Sequence, residues 1–367
     1  MKIFVTGTRG IPHIPGGVET HCEKLYPIIV NNGHEVIIAR RSTYTQGKLE
    51  SWNGIKLIDI FNPREKSLEA IVHTFLSIIE AKKNKPDIVH IHAIGPSIIV
   101  PFARLLGLRV VVTNHGPDYD RQKWGWLAKQ VLMLSEYLGG KFANEVIVIS
   151  HSIEDIIHRR CKRDCHLIYN GVAPTPKIIG DDFLKSVNVK PGNYILAAAR
   201  FVPEKGLHDL IEAFKHTDLD CQLVLAGDAD HEDKYSRELK KMAEGDERIK
   251  LTGFITGEKL QQVFKHARLF ILPSYHEGLP IALLEALSYG LSVLVSDIPA
   301  NLEINLNKDR YFRCGEVDNL REKLLELFEL ELEPQEQRHI MEMLSTDYNW
   351  DTIAEQTVSV YEKALVK

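Results

Sequence analysis

Short apolar runs rich in β-branched residues alternate along this chain with longer stretches of helical period, and the cycle restarts halfway. Residues 2–6 (Lys-Ile-Phe-Val-Thr), 35–39, 55–60, 88–92, 109–113 and 145–149 predict strands, each ending near a polar or glycine turn. A Gly/Pro-rich loop after the first strand leads into a helix over 18–32, which Gly33 ends. At Tyr169-Asn170-Gly171-Val172, followed by Ala-Pro-Thr-Pro, turn residues and prolines break the pattern and mark a linker. Beyond it a new first strand at 194–198, a loop at 200–206 and a helix at 207–215 repeat the opening, with further strands at 222–226, 249–251, 269–272 and 292–295. Strands that alternate with helices predict an α/β fold of two doubly wound parallel sheets. The expected domains are 1–172 and 173–348, with an amphipathic helix near the C-terminus (349–367) packing back toward the first domain.

Composition narrows the class. A chain of 367 residues, 44% hydrophobic and 26% charged, is long enough to bury two cores. Lys2, Thr6, Thr8 and Arg9 interrupt the first apolar run, and no stretch approaches the roughly 18 apolar residues of a membrane span. The expected location is cytoplasmic, with peripheral contact at the inner face of the cytoplasmic membrane left open. Five scattered cysteines, an odd number, argue against a disulfide framework. His158, Cys161, Cys165 and His166 match no common zinc spacing, and Arg159, Arg160, Lys162 and Arg163 would repel a cation there. The net charge of −5 is unevenly divided: 23 Lys and Arg face 16 Asp and Glu through residue 180, and 22 face 34 after it. A basic first half would suit an anionic partner such as a lipid surface or a pyrophosphate-linked acceptor, and ordinary surface variation explains it equally well. The segment 123–138, from Lys123 and Trp124 to Leu138, mixes cationic and aromatic residues with an apolar face. It fits either a helix lying in a lipid interface or, the preferred reading, a buried helix preceded by a mobile loop. A pI near 6.4 without a recognised motif makes nucleic acid a poor partner.

Several polar groups are expected at the carboxyl ends of these strands, where doubly wound sheets bind ligands. The run Gly7-Thr8-Arg9-Gly10 through Gly16-Gly17 joins the first strand to the first helix, and missing side chains let a diphosphate reach backbone amides. Its spacing is neither the dinucleotide fingerprint nor the P-loop, and a structural turn explains it equally well. Arg200 and Lys205 bracket the equivalent loop of the second half, where two cations at a helix start suit the charge of a departing diphosphate. His115 follows the strand at 109–113 and suits a sugar hydroxyl or a structural hydrogen bond. His90 and His92, on one strand face, read as packing residues. Asp228 and Asp230, before His231, read as a polar loop rather than a metal site. Glu277 falls in a loop after an apolar strand, and Glu285 is placed two turns into a helix opening at Pro280 and ended by Gly290. The two acids could hold different hydroxyls of one sugar-nucleotide, with the helix amides facing phosphate.

Taken together, Gly16-Gly17, His115-Gly116, Arg200 with Lys205, and Glu277 with Glu285 resemble the retaining glycosyltransferases of family 4, whose GT-B fold sets two Rossmann-like domains about a central cleft. Arg-Phe-Val-Pro-Glu-Lys-Gly at 200–206 and His-Glu-Gly-Leu-Pro at 276–280 are the most specific pieces, and the N-terminal half looks like a rhamnosyltransferase-like subgroup. The resemblance implies transfer of a hexosyl or deoxyhexosyl group from a nucleotide-diphosphate-sugar to a saccharide or lipid-linked saccharide hydroxyl, in cell-surface polysaccharide or glycolipid assembly. It implies no metal and no cofactor beyond the donor. Arg200 and Lys205 would hold the diphosphate and Glu285 the ribose. Glu277 would hold the sugar, with the amides of Gly278 and Leu279 nearby. Gly16 and Gly17 would close over the phosphates, His115 would touch the sugar, and Phe254 would lie at the base. A ribose-gripping acid favours a ribonucleotide, whereas rhamnosyl donors commonly carry a deoxynucleotide. A sugar-nucleotide 2-epimerase of the same fold and a non-catalytic sugar-nucleotide-binding subunit share these features and stay open as alternatives.

Overall fold

Ile3, Phe4 and Val5 have no exposed surface. A strand covered on both faces needs apolar side chains at every position, which is why β1 (Lys2–Thr6) reads as a continuous run rather than an alternation. The computed structural model describes all residues except 15, 46, 48, 66, 67, 121–124, 177–179, 230, 231 and 367. They form two units, Met1–Gly171 with Asp347–Lys367, and Val172–Thr346.

In the first unit β1 is joined by β2 (Glu35–Arg41), β3 (Ser51–Trp52), β4 (Ile55–Ile60), β5 (Ile88–His92), β6 (Val110–Asn114), β7 (Glu145–Val148) and β8 (His166–Leu167). Their order is β3-β4-β2-β1-β5-β6-β7-β8, parallel except for β3. The chain leaves β1 toward β2 and later returns to its other side at β5, so connections diverge at the carboxyl end of β1. The helix Gly17–Asn31 turns Cys22, Leu25, Tyr26 and Ile29 inward. Against it lies the last helix, Trp350–Val366, which buries Trp350, Ile353, Ala354, Thr357, Val360, Tyr361 and Ala364 along one stripe. A Cβ on Gly171 would overlap the Trp350 indole, so the connector passes that ring at backbone distance.

The second unit holds β9 (Tyr194–Ala198), β10 (Gln222–Ala226), β11 (Ile249–Gly253), β12 (Leu269–Leu272), β13 (Ser292–Ser296) and β14 (Tyr311–Phe312). All pairings are parallel, in the order β11-β10-β9-β12-β13-β14. Here the switch falls between β9 and β12, so their following loops lie side by side. The core is built from Ile195, Leu223, Leu225 and Ile271 of the sheet, with Leu210 and Phe214 from the helix Leu207–Lys215.

The structure corrects three details of the sequence reading. The helix expected to open at Pro280 runs Ile281–Ser288 with Pro280 as its cap, so Glu285 sits little more than one turn in rather than two. The helix Trp126–Phe142 is not buried through its large apolar residues. It buries Ser135, Glu136, Gly139 and Gly140 and leaves Trp126, Leu127 and Leu134 more than half exposed, while Lys123 and Trp124 lie outside the described residues. The two-residue strands β3, β8 and β14 carry no period long enough to read. No helix among the described residues is long and apolar enough to cross a membrane.

Candidate functional site

In the second unit the loops after β9 and β12 are tied together by the backbone. Gly206 takes φ 62°, and a Cβ there would collide with the Pro273 carbonyl, so only glycine lets the first loop lie flat on the second. The Tyr275 amide donates to the Glu204 carbonyl at 2.9 Å, and the Tyr275 hydroxyl donates to Asp209 at 2.5 Å. This stitching brings Lys205 and Glu277 together, Nζ to Oε1 at 2.5 Å, with side chains 18% and 10% exposed. Ser274 donates to the same carboxylate oxygen at 2.7 Å, and its own carbonyl accepts from Ser296 at 2.5 Å. Two opposite charges thus sit largely out of water, each compensated by the other.

Arg200 is half-buried at the start of the β9 loop, and its carbonyl accepts from the Val202 amide. Glu285 is half-buried on the helix that follows the Glu277 loop. Its charge, after burial, contributes to pushing the Tyr289 phenol up to about 12. Between the acids, the amide groups of Gly278 and Leu279 have no acceptor among the described residues and open the approach to the helix N-terminus. Phe254 follows β11, the edge strand, and is 57% exposed. Asp228 is paired with Lys240 at 2.9 Å, and Asp230 and His231 lie outside the described residues. A cavity of about 350 Å³ elsewhere in this unit, lined by Asn305, Glu336, His339 and Met343 among others, contains none of these site residues.

In the first unit Gly7, at φ 97°, presses the loop after β1 against the His92 backbone, where a Cβ would overlap the carbonyl. Glu19 and Glu23 of the following helix accept the amides of Arg9 and His13, both at 2.9 Å. Gly16 and Gly17 stand at that helix start, Gly17 exposed, with the Glu19 carboxylate packed where a Gly16 side chain would go. His115 directly follows β6. Its Nε2 lies 2.9 Å from Nδ1 of His92, and the rings stack. Burial, then the proximity of His21 and His90, holds the His115 imidazole well below its ordinary pKa and keeps it neutral. The loop after it is fixed by Glu136, which accepts from Asn114 at 3.0 Å, Tyr119 at 3.2 Å and Arg160 at 2.9 Å.

Two groups bring metal-binding side chains close together. His21, His92 and His115 offer nitrogens within 4.8 Å of one another, but both nitrogens of His92 are engaged, by His115 and by the Tyr26 hydroxyl, so the set fits a hydrogen-bonded chain. Glu154, His158 and Cys165 also converge. There burial, then Glu154 and Asp164, pushes the Cys165 thiol up to about 12. Of the cysteine and histidine set weighed from sequence, Cys161 is buried and His166 is paired with Glu145 at 2.9 Å.

Sequence reasoning missed Ser274 and Glu136 as positioning groups. The one signal for Glu136 was an acid amid the apolar run Val-Leu-Met-Leu-Ser-Glu-Tyr-Leu.

The sequence model described as Glycosyltransferase Family 4 matches residues 15–175, and that described as Glycosyl transferases group 1 matches 181–342. An uncharacterised glycosyltransferase of Methanocaldococcus jannaschii is 25% identical, over 100% of this chain and 99% of its own length. The Escherichia coli UDP-Gal:alpha-D-GlcNAc-diphosphoundecaprenol alpha-1,3-galactosyltransferase is 30% identical over 60% of each chain. Among solved structures, sucrose-phosphate synthase of Thermosynechococcus elongatus superposes with a TM-score of 0.83 at 20% identity, covering 100% of this chain and 99% of that one. With both halves matched in sequence and the two-sheet architecture shared, the chain belongs to the family 4, group 1 glycosyltransferases and has the GT-B fold.

Proposed function

We propose that this protein transfers a sugar from a nucleotide-diphosphate-sugar to a hydroxyl acceptor with retention of anomeric configuration. The observation that carries the reading is the Lys205–Glu277 pair at the switch point of the second sheet, beside the open amides of Gly278 and Leu279. Without a donor, each charge neutralises the other. When a donor binds, Lys205 and Arg200 turn to the diphosphate and Glu277 accepts from a sugar hydroxyl, so the pair is exchanged for ligand contacts rather than broken into bare charges. Glu285 accepts from the ribose, and the base lies toward Phe254. From the first unit the reading assigns His115 to the donor sugar and the Gly16 and Gly17 amides to the phosphates.

The reacting steps balance without a further reagent. The bond from the anomeric carbon to the β-phosphate oxygen breaks, and the acceptor oxygen bonds to that carbon from the same face. The acceptor proton passes to the departing diphosphate. Cationic side chains and helix amides supply the charge stabilisation, so we assign no metal to the reaction.

The E. coli relative is named for a UDP-galactose donor and a diphosphoundecaprenol-linked acceptor. We carry over the class alone: a hexosyl or deoxyhexosyl donor and a lipid-linked saccharide acceptor, in cell-surface glycan assembly. The exposed Trp126, Leu127 and Leu134 support peripheral contact with the membrane that would hold such an acceptor.

The test is nucleoside-diphosphate release from a panel of UDP-, GDP-, ADP- and dTDP-sugars, with and without saccharide and polyprenyl-linked saccharide acceptors. Release should require an acceptor, and Lys205→Ala should lower it about 100-fold or more. Wild-type rates in Lys205→Ala would refute the assignment.

A further inference from the structure

Beneath His115 the core of the first unit holds an unbroken line of polar side chains. The Thr113 hydroxyl lies 2.7 Å from Nε2 of His90, and Nδ1 of His90 lies 2.7 Å from the Tyr361 hydroxyl and 2.9 Å from that of Tyr26. The Tyr361 and Tyr26 hydroxyls meet at the same His90 nitrogen and lie close enough to interact. The Tyr26 hydroxyl is 2.6 Å from Nε2 of His92, whose Nδ1 meets Nε2 of His115 at 2.9 Å. Thr113, His90, Tyr361, Tyr26 and His92 are all at most 1% exposed, whereas His115 is half-buried. Four elements contribute: β5, β6 with the residue after it, the first helix and the last.

Buried away from water, each neutral imidazole must donate through one nitrogen and accept through the other, so the line has a direction. If it ran inward from His115, the Thr113 hydroxyl at its far end would have a proton and no acceptor among the described residues. Run outward, every proton has a place. Thr113 donates to His90, and His90 donates through Nδ1 to Tyr361. Tyr361 donates to Tyr26, Tyr26 to Nε2 of His92, and Nδ1–H of His92 to Nε2 of His115. The proton of His115 is then on Nδ1, which has no partner among the described residues and is left for a ligand.

We propose that this chain, and Tyr26 and His92 above all, are positioning groups that lock His115 as a neutral Nδ1–H donor with a fixed ring plane. Resting on the reading of His115 as a donor-sugar contact, the lock ensures that His115 gives a hydrogen bond to a sugar oxygen rather than accepting one from a sugar hydroxyl. Neither Tyr26 nor His92 touches the substrate in this scheme. Their effect is transmitted through one imidazole, as outer partners orient a reacting group elsewhere.

The test uses the full chain labelled with ¹⁵N-histidine. Two-bond ¹H–¹⁵N correlation spectra report the His115 tautomer, assigned by loss of its signals in His115→Ala. Wild type should show a single Nδ1–H form from pH 6 to 8. Tyr26→Phe, and independently Tyr361→Phe should the first fail to fold, should give a mixed or reversed tautomer. In the same variants kcat should fall about tenfold, with the donor KM changed less than twofold. An unchanged His115 tautomer in both variants would overturn the proposal, as would, where His115→Ala is itself impaired, a normal kcat in a variant whose tautomer has changed. Wild-type turnover in His115→Ala, with the tautomer still responsive to Tyr26→Phe, would instead reject His115 as a sugar contact while leaving the chain in place.

Discussion

Glu277 sits where its cation, Lys205, and its hydroxyl, Ser274, both reach one carboxylate oxygen. The other oxygen has no partner among the described residues, and in the proposed reaction Ser274 would keep the carboxylate in plane as Lys205 turns to the donor. Ser274→Ala should therefore lower kcat about tenfold, the worth of one hydrogen bond to a charged group, while Tm moves little. Steady-state kinetics beside a melting curve checks this, and a wild-type kcat would remove Ser274 from the positioning role. Glu277 and Lys205 were legible because charged residues beside strand-to-helix turns are conspicuous in sequence. Ser274 was not, since a serine after a strand signals nothing until the turn at 273–277 folds its hydroxyl back. His92 read as a packing residue because alternation with Ile91 shows which face a side chain takes, not what the neighbouring strand brings to it. Here that neighbour is β6, which ends at the residue before His115.

At the scale of elements, the strands placed from sequence are runs of four residues or more, most of them buried along nearly their whole length, with the alternating β4 as an exception. β1, β9 and β12 are short continuous apolar runs, and covering by helices on both faces demands that. Element ends were less legible. Pro280 has the fixed φ of a first helical residue, yet its ψ of 77° places it outside the helix, and Glu285 moves nearer the N-terminus as a result. The loop at 200–206 depends on one backbone conformation. Gly206→Ala forces a side chain into the left-handed region and onto the Pro273 carbonyl, at a cost of at least about 1–2 kcal/mol. It should lower Tm by several degrees and, by lifting Lys205 off Glu277, reduce transfer more than Ser274→Ala does. Equal stability by urea titration would show that the two loops are not pinned at this glycine.

Across the whole molecule, titrating histidines are concentrated in the core of one unit. His21, His73, His90, His92 and His115 of the first unit are kept neutral chiefly by burial, His21 with its pKa lowered to about 4 and His73 and His90 to about 3. Their folded values lie below the ordinary 6.5, so between those limits the unfolded chain binds protons that the folded chain does not. Their contribution to stability is complete above about pH 6.5 and drains as the pH falls toward 4, by about 1.4 kcal/mol per pH unit for each such proton. Thermal melts should show a clearly lower Tm at pH 5.5 than at pH 7.5, and a flat profile would contradict the buried neutral cluster. The sequence placed the histidines on a strand and after one, but their convergence needs the last helix, whose Tyr361 lies 271 positions from His90. The return of residues 347–367 to the first unit is likewise a fact of the folded chain that local pattern could only suggest. The central claim, retaining transfer from a nucleotide-sugar, is tested most directly by following one reaction of donor and acceptor by ¹H NMR at the anomeric proton. The account predicts a glycoside with the donor's anomeric configuration, formed with one equivalent of nucleoside diphosphate, and an unchanged donor when the acceptor is left out. An inverted product, or a donor isomerised in the absence of acceptor, would contradict it.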